Sequence, residues 1–148
     1  MMDVHVAADA PFRKHVALVR TVARRAARML FAGDAQVAIR LMDDEEIREL
    51  NTAFRKKSEP TDVLSFEGEG PYVGDVALCV TVAERQALEL GHSLATELAV
   101  LTVHALVHLC GLDHERSAQE ARLQAEIEMG VLDVLGVPVD AALSRRGL

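Results

Sequence analysis

In TELAVLTVHALVHLC, residues Thr96–Cys110, apolar side chains fall on nearly every face of a helical wheel. A surface helix cannot afford that pattern, so this segment is expected to be a central helix buried against a sheet. Ser93 is placed to start it with a side-chain cap, and Gly111 to end it. Working outward, a buried helix needs strands beneath it and further helices beside it, and the rest of the chain supplies both.

Upstream, Asp3 to Ala8 has a period-two pattern through Val4 and Val6, and Pro11 introduces a long helical segment with an apolar stripe at Val16, Val19, Ala23, Ala26, Ala27 and Leu30. Ala35 to Leu41 alternates through Val37, Ile39 and Leu41 as a second strand. Asp43 with Glu46 reads as a capping box opening a helix to about Phe54, with Ile47, Leu50 and Phe54 facing inward. Asp62 to Phe66 and Asp75 to Val80 are then two consecutive strands around a turn-rich connection. Thr81 with Glu84 is a second capping-box candidate, for a helix ending near Gly91. An amphipathic C-terminal helix is expected from about Ala118 to Leu135, with Leu123, Ile127 and Val131 inward. Strand, helix, strand, helix, strand, strand, followed by helices, predicts a single α+β domain over residues 1–148, with a mixed sheet of about four strands covered by helices.

A chain of 148 residues with 50% hydrophobic and 26% charged residues, 9 Gly and 4 Pro is not disordered, collagenous or coiled-coil in composition. Its 2 cysteines are too few for a disulfide-dense secreted scaffold, the start lacks a signal-peptide pattern, and no apolar run reaches membrane-spanning length. A cytoplasmic location without membrane attachment is therefore expected.

The net charge of -7 argues against a non-specific coat for nucleic acid, yet the charge is unevenly spread. From Pro11 to Gly33 there are basic residues and no acid, and Arg20, Arg24 and Arg28 recur on one side of the expected helix. Arg55, Lys56 and Lys57 form a second basic cluster. The helical stripe is either a solvated face or a surface for a polyanion such as RNA. Four Phe and 1 Tyr are too few for a broad base-stacking platform, so attraction to phosphate is the binding mode the sequence favours.

Three of the 6 histidines lie in HALVHLCGLDH. His104 and His108 share one helical face, and the turn allowed by Gly111 can return His114 to the same point. Three neutral imidazoles leave a fourth position open, the arrangement of a catalytic zinc or a related divalent ion. Cys110 points away from the pair's face and is read as a buried thiol. Asp113 either orients an imidazole or caps the next helix. His5, His15 and His92 have no comparable spacing and are read as surface or locally hydrogen-bonded residues. The spacing also fits a zinc peptidase, but such enzymes carry a glutamate after the first histidine, and here that position is Ala105.

Taken with LNTAFRKKSEPTDVLSF (Leu50–Phe66), GDV (Gly74–Val76) and QALELGHS (Gln86–Ser93), the segment HALVHLCGLDHE (His104–Glu115) resembles the YbeY family of bacterial metal-dependent endoribonucleases. Ala105, Val107 and Leu112 depart from the family's usual Gly, Leu and aromatic residue while leaving the histidines intact. The resemblance implies a small α+β domain of about four strands, His104, His108 and His114 as metal ligands, and Arg55 as the functional arginine. It further implies single-stranded RNA and rRNA as substrate, work near the small ribosomal subunit in maturation and quality control, and contacts with a small-subunit ribosomal protein and an assembly GTPase. A ribosome-associated assembly factor with a mainly structural metal is the competing function, ahead of another zinc hydrolase. The oligomeric state is not legible.

Overall fold

A computed structural model describes residues 2–55, 61–112 and 116–138, with the backbone alone for Arg55. Strands β1 (Met2–Ala8), β2 (Ala35–Met42), β3 (Val63–Glu67) and β4 (Tyr72–Cys79) form one sheet in the order β1-β2-β4-β3. β1 and β4 flank β2 in parallel, whereas β3 runs antiparallel to β4, so the sheet is mixed. Helices α1 (Val16–Leu30), α2 (Asp44–Arg55), α3 (Val80–Leu90), α4 (Leu94–His108) and α5 (Ala118–Leu135) complete the described fold. The expected α+β class and strand number hold. The segment after Pro11 is divided, because a 3-10 turn at Ala10–His15 precedes α1.

Alternation along the strands creates two unequal faces. Val4, Val6, Val37, Ile39, Leu41, Val76 and Leu78 point to the side of α1 and α4 and join the large core. Met42, Leu64, Ala77 and Cys79 point the other way and meet Ile47 of α2 in a small second cluster. α4 is the centre of the large core: Leu98, Val100, Leu101, Val103, Leu106 and Val107 are all fully buried. Its wheel is apolar all round because α1, α3, α5 and the sheet each contact it.

Local signals explain most boundaries. Ser93 accepts from the Thr96 amide and caps α4, and Ser117 does the same for α5 through Glu120. Asp43 accepts from the Glu46 amide at 2.9 Å, as expected, but the Glu46 carboxylate turns to Arg40 instead of completing the box. The expected cap at Thr81 is displaced: α3 starts earlier, and Cys79 Sγ accepts from the Val82 amide at 3.4 Å. Phe54 is also not inward. It is 67% exposed and meets Phe66 edge to face, with ring centroids 5.4 Å apart. α2 covers too little of the sheet to bury its last turn.

Gly74 sits in β4 beside a register shift at Gln36 and Val37, with φ +155. A Cβ there would collide with the Phe66 carbonyl and approach a Leu109 methyl to 2.9 Å. The bare backbone lets α4's end lie directly on the sheet.

Candidate functional site

From Glu97 to Leu109 every residue of the central helix segment is buried except His104 and His108. The 3.6-residue period places this pair on one face, one turn apart, where the helix emerges from the core near its C-terminal end. Leu109 is the C-cap, and Gly111 takes φ +96 to turn the chain away. The buried central helix thus carries two of the three predicted ligands to the surface. His114 and its neighbour Asp113 lie outside the described residues. Among the described residues, no group of three or more His, Cys, Asp or Glu side chains is arranged to hold a metal ion. The zinc site predicted from the sequence is accordingly not assembled by those residues alone.

His104 is held from α5. Its Nδ1 lies 3.1 and 3.0 Å from the two carboxylate oxygens of Glu128, and the Gln124 amide nitrogen is 3.3 Å from the same atom. Glu128 and Gln124 are both fully buried. The sequence reading missed them because it set Leu123, Ile127 and Val131 inward; only Val131 is buried, Ile127 is half-buried, and Leu123 is 45% exposed. The missed signal is a polar pair four residues apart, Gln124 and Glu128, on a helix facing an otherwise apolar neighbour.

A second buried carboxylate, Glu97, sits two turns before His104 on α4 and meets His92 Nε2 at 2.8 Å. His92 is a locally hydrogen-bonded residue, as expected. Cys110 corrects the sequence reading: it is exposed, not a buried core thiol, because α4 has already ended. Its Sγ turns back to the Leu106 carbonyl at 3.5 Å, and this partial desolvation of the sulfur pushes the thiol pKa up. That geometry leaves it outside the histidine pair.

Arg24 and Arg28 are exposed and Arg20 half-buried, forming the expected stripe along α1. α1's end, the sheet turn and the end of α4 together line a cleft of about 450 Å³ through Leu30, Phe31, Tyr72, Leu109, Cys110 and Gly111, and none of the three arginines lines it. Arg55 ends α2, packed on the opposite face of the sheet from α1, and Lys56 and Lys57 lie outside the described residues.

A sequence model described as "Endoribonuclease YbeY" matches residues 6–135. Among curated proteins, "Endoribonuclease YbeY" of Aquifex aeolicus is 49% identical over 107 residues, covering 69% of this chain and 71% of that protein. The protein of the same description from Symbiobacterium thermophilum is 39% identical over 130 residues, covering 78% and 83%. A Thermotoga maritima protein whose structure was solved in solution superposes with a TM-score of 0.61 at 24% identity, covering 89% of this chain and 91% of that one. That last likeness concerns the fold alone.

Proposed function

Because this chain belongs to the YbeY endoribonuclease family, we propose that it cleaves single-stranded RNA during maturation and quality control of small-subunit rRNA in the cytoplasm. Membership makes it an enzyme of the endoribonuclease class. The observation that carries the site assignment is the emergence of His104 and His108, alone in a buried helical segment, on one face.

The donor set fits a zinc ion or a similar divalent cation, with His114 as third ligand: imidazoles suit such metals, and Cys110 is turned to a backbone carbonyl instead. When bound, such an ion supplies Lewis-acid stabilisation of phosphoryl charge and an acidified water. The chain's own residues hold and orient the substrate. Arg55 is assigned to grip phosphate oxygens through its planar fork, with helix termination as its simpler role. Arg20, Arg24, Arg28, Lys56 and Lys57 are assigned to the RNA backbone, and the partners are the small ribosomal subunit, one of its proteins and an assembly GTPase. Peptide hydrolysis is disfavoured, since the position of a peptidase's glutamate is Ala105, buried at 2% exposure.

The test is single-turnover cleavage of a single-stranded RNA, with denatured protein as the rival substrate, after metal removal and Zn²⁺ restoration. We expect RNA cleavage that is lost and regained with the metal. His114→Ala should lose bound zinc, whereas Arg55→Lys should keep zinc and fold but cleave more slowly at saturating RNA. RNA binding without turnover would make the protein an assembly factor, and unchanged zinc stoichiometry in His114→Ala would break the three-histidine assignment.

A further inference from the structure

Glu128 has an unusual position for a carboxylate: it is fully buried in the α4–α5 interface, and among the described residues its hydrogen-bond contacts are to one atom, His104 Nδ1. A buried carboxylate needs a donor. A ring nitrogen carries either a proton or a lone pair, so Nδ1 cannot both donate to Glu128 and accept from the Gln124 amide nitrogen 3.3 Å away. Of the two, the charge-assisted bond at 3.0 Å is shorter and stronger. Gln124 Oε1, meanwhile, is buried without a partner. Turning that amide over would bring its oxygen toward Nδ1–H, so both neighbours would accept from a single proton.

We propose that Glu128 is a positioning residue that fixes His104 in the tautomer protonated on Nδ1, with its lone pair on Nε2, and that Gln124 closes the pocket around that proton. The inference deepens the reading of His104 as a metal ligand and rests on it: a cation is then met by Nε2, on a ring already oriented before the cation arrives. An imidazole bonded to a carboxylate through its other nitrogen is also a more basic ligand. Glu128 touches neither substrate nor cation and acts through His104 alone.

The experiment uses the full-length, metal-free protein with ¹⁵N-labelled histidine, the His104 signals being assigned by their loss in His104→Asn. Long-range ¹H–¹⁵N correlations should report the Nδ1–H tautomer in the unsubstituted protein. Glu128→Gln should shift the population toward Nε2–H and weaken Zn²⁺ binding, titrated against a chromogenic chelator, by roughly 10- to 100-fold. Exchanging the two side chains, Gln124→Glu with Glu128→Gln, returns a carboxylate to Nδ1 and should recover both readouts, which mere repair of packing would not do. An Nε2–H tautomer in the unsubstituted protein overturns the proposal, and this spectrum decides even where Glu128→Gln does not fold. So does a folded Glu128→Gln protein with unaltered tautomer and zinc affinity, or a folded exchange variant without recovery. Unchanged zinc in His114→Ala would instead break the three-histidine reading while leaving the tautomer result to judge Glu128.

Discussion

The two faces of the sheet are built to different standards. On one, α1, α4 and α5 enclose a core of more than a dozen fully buried side chains, and the two carboxylates admitted to it, Glu97 and Glu128, are each bonded to a histidine. On the other, α2 shields Met42, Ile47, Leu64, Ala77 and Cys79, and beyond it a cleft of about 470 Å³ is floored by Ala7, Ala38 and Ala77. The thick face can hold imidazoles at fixed positions because close packing allows few alternative arrangements. The thin face is where the structure can yield.

The largest effect that tests this contrast is a pair of truncations. Leu101→Ala on α4 should cost about 2–5 kcal/mol, since a fully buried leucine on a helix that three others contact leaves a cavity with little room to collapse. Ile47→Ala removes an equally buried side chain, but α2 can settle onto the sheet, so its cost should fall at the low end of that range. Denaturant unfolding of both variants measures the difference; equal costs would mean that the two faces are equally rigid.

A smaller effect separates the thick face's outer surface from its interior. Replacing Arg20, Arg24 and Arg28 together by Ala should leave unfolding nearly unchanged while weakening RNA binding and flattening its salt dependence. Filter binding across ionic strength reads this directly. An unchanged slope would return the stripe to an ordinary solvated face.

The smallest effect lies at the start of β4. The Tyr72 hydroxyl donates to Asp75, and burial together with that carboxylate raises its pKa from 10.0 to about 12. The neutral phenol is thus favoured in the fold, so its contribution is present below pH 10 and disappears as pH rises through about 12. With 1 Tyr and 0 Trp in the chain, ultraviolet titration of phenolate follows this residue alone. Asp75→Asn should move the midpoint back down.

How much of this was legible in the sequence follows the same division. α4 could be read because its burial is recorded in its own composition, and the spacing of His104 and His108 is a property of any helix. Strand order was not legible: β4, not β3, pairs with β2 across a long stretch of sequence, which local alternation does not encode. The inward face of α5 was misread because its neighbour presents an imidazole, so Gln124 and Glu128 displace Leu123 from the position hydrophobicity would assign. Phe54 failed for the opposite reason: on the thin face it meets Phe66 edge to face and stays exposed. Cys110 failed by two residues, lying just past the end of a helix expected to include it.

Gly74 connects these regions mechanically. It lies far from the histidines in sequence, yet the atom it lacks would press on Leu109, the residue next to His108. A side chain at 74 would have to displace the Phe66 carbonyl and push against the Leu109 side chain, and the helix is gripped along its length by the core. The movement would therefore concentrate in its final turn, the turn that bears His108. The missing methyl is in this sense a setting gauge: the height of the His108 imidazole above the sheet depends on how closely one strand's bare backbone lets a leucine approach.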